Sequence, residues 1–136
     1  MPSIIVDSGP LIALFDRDDR HHRRAVTFIE TNTTELVTNL PVIGEVAYML
    51  HGIPRARRDF LNWISVAAHV DLATMDDLPR ILALLDKYAD LPADFADASV
   101  VALAERLRTT RVATIDRDFE VYRTLGGKSF RNVLPP

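Results

Sequence analysis

Ser3–Phe15, SIIVDSGPLIALF, changes periodicity at a single acid. SIIV is apolar and β-branched, the pattern of a short strand, and Asp7 stands at its carboxyl end. SGPLIALFD then reads as a helix, with Ser8 as its N-cap and Pro10 in the first turn. A strand that ends in an acid and feeds a helix is the opening of a parallel α/β unit. In open parallel sheets, that edge is where ligands bind.

The remainder repeats the alternation. RHHRRAVTFIETN places Ala25, Phe28 and Ile29 on one helical stripe, and ELVTN is a short strand. Pro41 starts the helix PVIGEVAYMLHG, which Gly52 can close. PRARRDFLNWISVAA is a further helix with Phe60, Leu61 and Ile64 on its apolar side, and HVDLA is a candidate strand. MDDLPRILALLDKYADL and DFADASVVALAERLRT are helices separated by Pro92. RVATID is a strand with an acid at its end, RDFEVYRTL a short helix, and KSFRNVL a last strand after the Gly126–Gly127 turn. Strands alternating with helices predict an α/β fold, a mostly parallel central sheet flanked by helices on both faces. Breaks between elements are short, with no repeat, linker or low-complexity stretch, so residues 1–136 are expected to form one domain.

Length and composition agree with that. A chain of 136 residues can bury roughly two thirds of its extended surface without staples. With 48% hydrophobic and 26% charged residues, wholesale disorder is not expected. There is no cysteine, which excludes a disulfide framework and a thiolate metal site and fits a reducing cytoplasm. MPSIIVDSGPLIALFDRDD has no basic leading region, and Asp7 and Pro10 break its apolar run. Neither a signal peptide nor a membrane span is expected there.

The net charge of −3 advertises no global basic field. Its distribution is more telling, because 14 of the 16 basic residues are arginine. Arg17, Arg20, Arg23 and Arg24 form one cluster, and Arg55, Arg57 and Arg58 another. Both read equally as solvated helix faces or as forks for phosphate.

Four acids stand where apolar runs end or helices begin: Asp7, Glu45, Asp97 and Asp116. Each alone has a structural explanation. Asp7 can cap the helix beginning at Gly9 or Pro10. Glu45 lies among Val42, Ile43, Val46, Ala47, Met49 and Leu50, so it occupies a narrow exposed strip or is buried with a partner. Asp94 and Asp97 stand at capping-box spacing, although aspartate reaches back less well than glutamate. Asp116 and Asp118 flank Arg117 in a turn that favours aspartate. Capping alone does not explain all four together. Gathered carboxylate oxygens suit a hard divalent cation, and phosphoryl transfer uses such cations to neutralise developing charge.

In that combination and order, IIVDSGPLIALFD, NLPVIGEVAYML, DLPADFADASVVALAERL and VATIDRDF resemble the PIN domain. The closest likeness is to the VapC-type toxins of bacterial and archaeal toxin–antitoxin pairs. The resemblance runs over nearly the whole chain. It implies a single PIN-like domain in which Asp7, Glu45, Asp97 and Asp116 match the family's acidic quartet and Asp94 an additional acid. Ser8, Asn39 and Thr114 match polar positions beside the site, while Asp118 is left open between a ligand, a supporting residue and a turn residue. It also implies RNA cleavage with Mg²⁺ or Mn²⁺ held by these acids, a water of lowered pKa attacking phosphorus in line, and no nucleotide cofactor. A cognate antitoxin, a homodimer and a cytoplasmic location are implied as well. None of His21, His22, His51 and His69 sits in an acidic motif, so no histidine base is expected.

Rival classes fit less well. A receiver-like phosphoacceptor needs a lysine at a late strand end. The two lysines are Lys87, in a helical pattern, and Lys128, after the Gly-Gly turn. A haloacid-dehalogenase-type phosphatase needs two aspartates one residue apart on the first strand, and VDSGP has one. A PIN-like module that binds RNA or protein without catalysis remains the alternative, which a nuclease assay separates.

Overall fold

The computed structural model describes residues 3–136. Among them, β1 (Ser3–Val6), β2 (Glu35–Asn39), β3 (His69–Asp71), β4 (Arg111–Ala113) and β5 (Arg131–Asn132) form one sheet in the order β3-β2-β1-β4-β5. Every neighbouring pair is parallel. Ile5 is at the centre of the register, opposite Val37 on one side and Val112 on the other.

The helices are α1 (Ser8–Phe15), α2 (His22–Thr31), α3 (Leu40–Met49), α4 (Pro54–Ala67), α5 (Leu78–Lys87) and α6 (Phe95–Leu107). From β1 the chain steps outward to β2 and β3, then returns to β4 on the other side of β1. Parallel crossovers are right-handed almost without exception, and by that rule the first four helices cover one face and the return helices the other. The strand order reverses between β1 and β4, and such a switch point opens a crevice at the carboxyl ends of the two strands.

Burial follows the apolar pattern. Ile4, Ile5, Val6, Val37 and Val112 are buried in the sheet, and every residue from Ala96 to Ala104 of α6 is buried. A helix buried on all sides must be central, which explains its small residues on several faces. Arg106 ties its far end down, donating to Asp71 Oδ2 at 2.6 Å and to Asp77 Oδ2 at 3.0 Å. Arg80 grips Glu105 through two contacts of 2.8 Å.

Several sequence expectations need correction. The N-cap of α1 is Asp7, not Ser8, which is the first helical residue; the chain leaves the strand one residue earlier than the Ser-Gly-Pro signal suggests. Asp97 does reach back, its Oδ2 accepting from the Asp94 N–H at 3.2 Å and completing a capping box. RDFEVYRTL forms only a 3₁₀ turn, Arg117–Glu120, because Asp116 caps it locally and a bridge between Arg123 and Ser129 pulls the following chain away. KSFRNVL contributes just two strand residues at the sheet edge. Leu61 is 45% exposed, off the face that buries Phe60 and Ile64. Trp63 is partly buried, stacking edge-on with Phe15 at 5.5 Å between centroids.

Candidate functional site

β1 and β4 deliver Asp7 and Asp116 to the same side of the crevice. Asp7 follows the last residue of β1, and its N–H donates to the Ala113 carbonyl at 3.0 Å, continuing the ladder by one step. Asp116 lies three residues beyond β4. The two segments approach closely because residue 9 is glycine: a Cβ there would meet the Ile115 Cβ at 3.2 Å. A side chain at that position would push α1 away from the loop bearing Asp116.

Asp7 is buried, and its side chain does not cap its own helix. Instead Oδ2 accepts from Thr114 Oγ1 at 2.8 Å, and Thr114 Oγ1 accepts from the Asp116 N–H at 3.0 Å. One buried hydroxyl therefore fixes both acids. The other oxygen, Asp7 Oδ1, is buried without a hydrogen-bond partner. A buried polar atom left unpaired is costly. Burial first, then the charges of Asp116 and Asp94, raise the Asp7 pKa from 3.8 to about 6, against the lowering bonds from the Ser8 backbone and Thr114.

α3 and α6 supply the other wall, and they touch each other. Asn39 caps α3 by accepting from the Val42 N–H at 3.0 Å and donates to Ser99 Oγ of α6 at 3.1 Å. That buried bond sets the relative placement of Glu45 and Asp97. Glu45 is half-buried and accepts a short hydrogen bond from Ser8 Oγ. Its pKa is pushed well up, by burial first, then by the adjoining Asp94 carboxyl and the charge of Asp7. Asp97 is pushed up by burial and then by Asp7, Asp94 and Asp116. Asp116 is raised by burial, Asp118 and Asp94. Each member of the quartet thus feels other acids, and the four carboxyls share one field.

The shared field is not a finished ligand shell. Among the described residues, no three acidic or histidine side chains close on one point as a ready cage for a cation. Glu45 is turned to Ser8, and Asp97 to the Asp94 backbone. The donor set is nevertheless all hard oxygen, and Asp7 Oδ1 is buried with no hydrogen-bond partner. Both features fit Mg²⁺ or Mn²⁺.

Of the other positions considered, Asp94 is exposed and caps α6, accepting from the Asp97 N–H at 2.8 Å. Asp118 donates its N–H to Asp116 Oδ1 at 2.9 Å in a local turn. The histidines serve elsewhere: His21 accepts from Arg24, His22 Nδ1 meets the Ala13 carbonyl, and His51 Nδ1 meets the Tyr48 carbonyl. Tyr122 escaped the sequence reading. Its hydroxyl is buried without a partner, and burial together with Asp97, Asp116, Asp118 and Asp94 holds its ionisation far above the usual range. A tyrosine just after a one-turn helix gives no periodic signal for this. Ser99 was also missed, being one polar residue inside an apolar helix.

Comparison with known proteins places this geometry in context. The PIN domain matches residues 4–125. Ribonuclease VapC26 of Mycobacterium tuberculosis is 30% identical over 139 aligned positions, spanning 97% of this chain and all of that protein. The crystal structure of Mycobacterium tuberculosis VapC20, a Sarcin-Ricin loop cleaving toxin, superposes with a TM-score of 0.84 at 23% identity, over 97% of this chain and 99% of that one. VapBC2 from Rickettsia felis, solved on a fragment of promoter DNA, has the same fold at a TM-score of 0.65 and 9% identity, over 96% of this chain and 98% of that chain. A toxin–antitoxin complex from Klebsiella pneumoniae gives 0.64 at 22% identity, over 85% of this chain and 89% of that one.

Proposed function

The chain belongs to the PIN-domain family, and from that premise we propose that it is a Mg²⁺- or Mn²⁺-dependent endoribonuclease, the toxin of a toxin–antitoxin pair. The observation that supports the reading is a shared acidic field at the switch point of the sheet: Asp7 raises the pKa of Glu45 and Asp97, Asp116 raises those of Asp7 and Asp97, and Asp7 Oδ1 has no partner. A structural role does not account for that cost. The ribonuclease VapC26, alike over its whole length, supports the same direction.

Asp7, Asp97, Glu45 and Asp116 would hold the cation, with Asp94 at the rim of the site. When bound, the cation supplies charge neutralisation at the phosphate and makes a water acidic enough to act as nucleophile. The chain's own residues do the positioning. Thr114 fixes Asp7 and the backbone of Asp116 together, Asn39 and Ser99 hold α3 to α6, and Ser8 orients Glu45. Until their charge is neutralised, the clustered carboxylates repel the RNA backbone, so cation binding precedes productive RNA binding.

The partners in this reading are RNA, a cognate antitoxin and a second copy of the chain. An antitoxin arginine inserted among the four carboxylates would compete with the cation for the same oxygens. The test is cleavage of RNA by the purified chain with Mg²⁺, with Mn²⁺ and with chelator, beside Asp7→Asn. Cation-dependent cleavage lost in the variant supports the proposal. Equal cleavage by Asp7→Asn, or none by the wild type with either cation, overturns it. Among the described residues no helix is long and apolar enough to cross a membrane.

A further inference from the structure

Beside the acids lies a cavity of opposite character. It encloses about 570 Å³ and is lined by Arg20, Arg24, Arg117, Thr114, Asn132 and Glu120, among others. The three arginines come from separate places: the loop before α2, the first turn of α2, and the 3₁₀ turn after Asp116. Three arginines and one acid, Glu120, are among its lining residues, and among the described residues none of the three arginines forms an ion pair. Sequence spacing alone puts Arg20 and Arg24 on one solvated face; it does not bring Arg117 to them.

Arg24 is held in place. Its Nε donates to the Pro135 carbonyl at 2.7 Å and a terminal nitrogen to His21 Nδ1 at 2.9 Å, leaving further donors of the fork free. The floor is rigid as well, because Asn132 clasps the Thr114 backbone through contacts of 3.2 and 3.0 Å. Thr114 is the same residue whose hydroxyl holds Asp7. The cavity therefore shares Thr114 with the acidic site, and its Arg117 directly follows Asp116 in the chain.

We propose that Arg20, Arg24 and Arg117 bind a phosphodiester of the RNA flanking the one that is cut. The assignment rests on the nuclease reading for the identity of the strand, but its chemistry, guanidinium forks on a phosphate, stands on the cavity itself. It makes the arginines positioning residues: they set which phosphate lies over the acids and touch no reacting atom.

The experiment measures binding of a fluorescein-labelled, single-stranded, mixed-sequence oligoribonucleotide by anisotropy across a salt series. Every protein carries Asp7→Asn, so that cleavage does not interfere. Each lost phosphate contact should lower the slope of log affinity against log salt by about 0.7 for a single strand. The site proposed here neutralises one phosphate, so Arg20→Gln with Arg117→Gln is expected to flatten it by about 0.7. Lys128→Gln, which removes a charge from a cavity beside Thr109 and Thr110 at the opposite end of β4, should leave it unchanged. Cleavage by the same arginine variants with Asp7 restored should show a raised KM and a kcat near wild type. An unchanged slope in the arginine double variant overturns the site, even if the wild type cleaves RNA. A flattened slope in a chain that never cleaves supports the site and removes only the nuclease reading. No RNA binding by the parent at any salt also overturns the site.

Discussion

Thr114 Oγ1 donates to Asp7 Oδ2 at 2.8 Å while accepting from the Asp116 N–H at 3.0 Å, so one hydroxyl joins the ends of two neighbouring strands. Thr114→Val keeps the shape and removes both bonds. Asp7 would lose a bond that favours its ionised form, and the Asp116 N–H would lose its acceptor. The expected outcome is a fall of about 10–100-fold in cation affinity or cleavage, the usual cost of losing a group that orients a ligand. Stability should drop by about 1–3 kcal/mol. Calorimetric titration with Mn²⁺ and thermal melting check the two halves. Unchanged Mn²⁺ affinity would remove Thr114 from the site.

Asp7→Asn and Asp97→Asn should separate function from stability. Both remove a charge that burial and neighbouring acids disfavour. Cleavage is expected to fall by about 10²-fold or more, beyond the loss typical of a supporting group. The cation-free variants should melt no lower than the wild type, and Asp7→Asn is expected to gain on the order of 1–2 kcal/mol. A variant that loses activity together with its fold would mark the residue as structural.

The same shifts set a pH dependence. Asp7 binds its proton up to about pH 6 in the folded chain, whereas its unfolded value is 3.8, and Glu45, Asp97 and Asp116 shift in the same direction. Between about pH 4 and the folded values, the folded state holds more protons than the unfolded state, so stability falls as pH rises through that window. Without divalent cation, the protein should melt higher at pH 5 than at pH 8. If the acids are the ligands, Mn²⁺ should raise the melting temperature at pH 8 and do little at pH 5, where protons compete for the same oxygens. An equal Mn²⁺ effect at both values would place the cation elsewhere.

Asp94 behaves as a cap that also contributes to the acidic field. Its carboxylate accepts from the Asp97 N–H at 2.8 Å, and it is exposed. Asp94→Ala should therefore destabilise by about 1 kcal/mol through the lost cap. It should also reduce cleavage less than Asp97→Asn does, through looser placement of Asp97. Equal losses from the two variants would make Asp94 a direct ligand.

Much of this was legible in the sequence because the strand ends carry their own punctuation. SIIVD and RVATID each announce a strand and an acid at its carboxyl end, and parallel topology brings such ends to one edge. The order of strands was not legible, since alternation alone leaves open which strand β4 joins; its return beside β1 is what brings Asp116 to Asp7. Nor could periodicity show which bond a carboxylate makes. Asp7 sits at an N-cap yet bonds to Thr114, more than a hundred residues away in the chain. Tyr122 and the convergence of Arg117 with Arg20 and Arg24 depend on loop paths, which short polar segments do not encode by pattern.

The helices α3 and α4 read as more apolar than a small core needs, and their ends do not bury the excess. Tyr48 is 70% exposed and Met49 56%, with Leu40 at 53%, Ile53 at 41% and Leu61 at 45%. The alternative, that both helices are covered on all sides by the chain's own elements, does not hold for these residues. Soluble monomers rarely leave large apolar patches open, so this surface is expected to pair with a second copy, the arrangement implied by the resemblance to PIN-domain toxins. Light scattering at micromolar concentration should give the mass of a dimer. Tyr48→Glu with Met49→Glu should give a monomer with the same circular dichroism, because neither side chain belongs to the buried core. Cleavage by that monomer would show that each acidic site is complete within one chain. A wild type that is monomeric at that concentration counts against the pairing and leaves the surface to the amphipathic helix of an antitoxin.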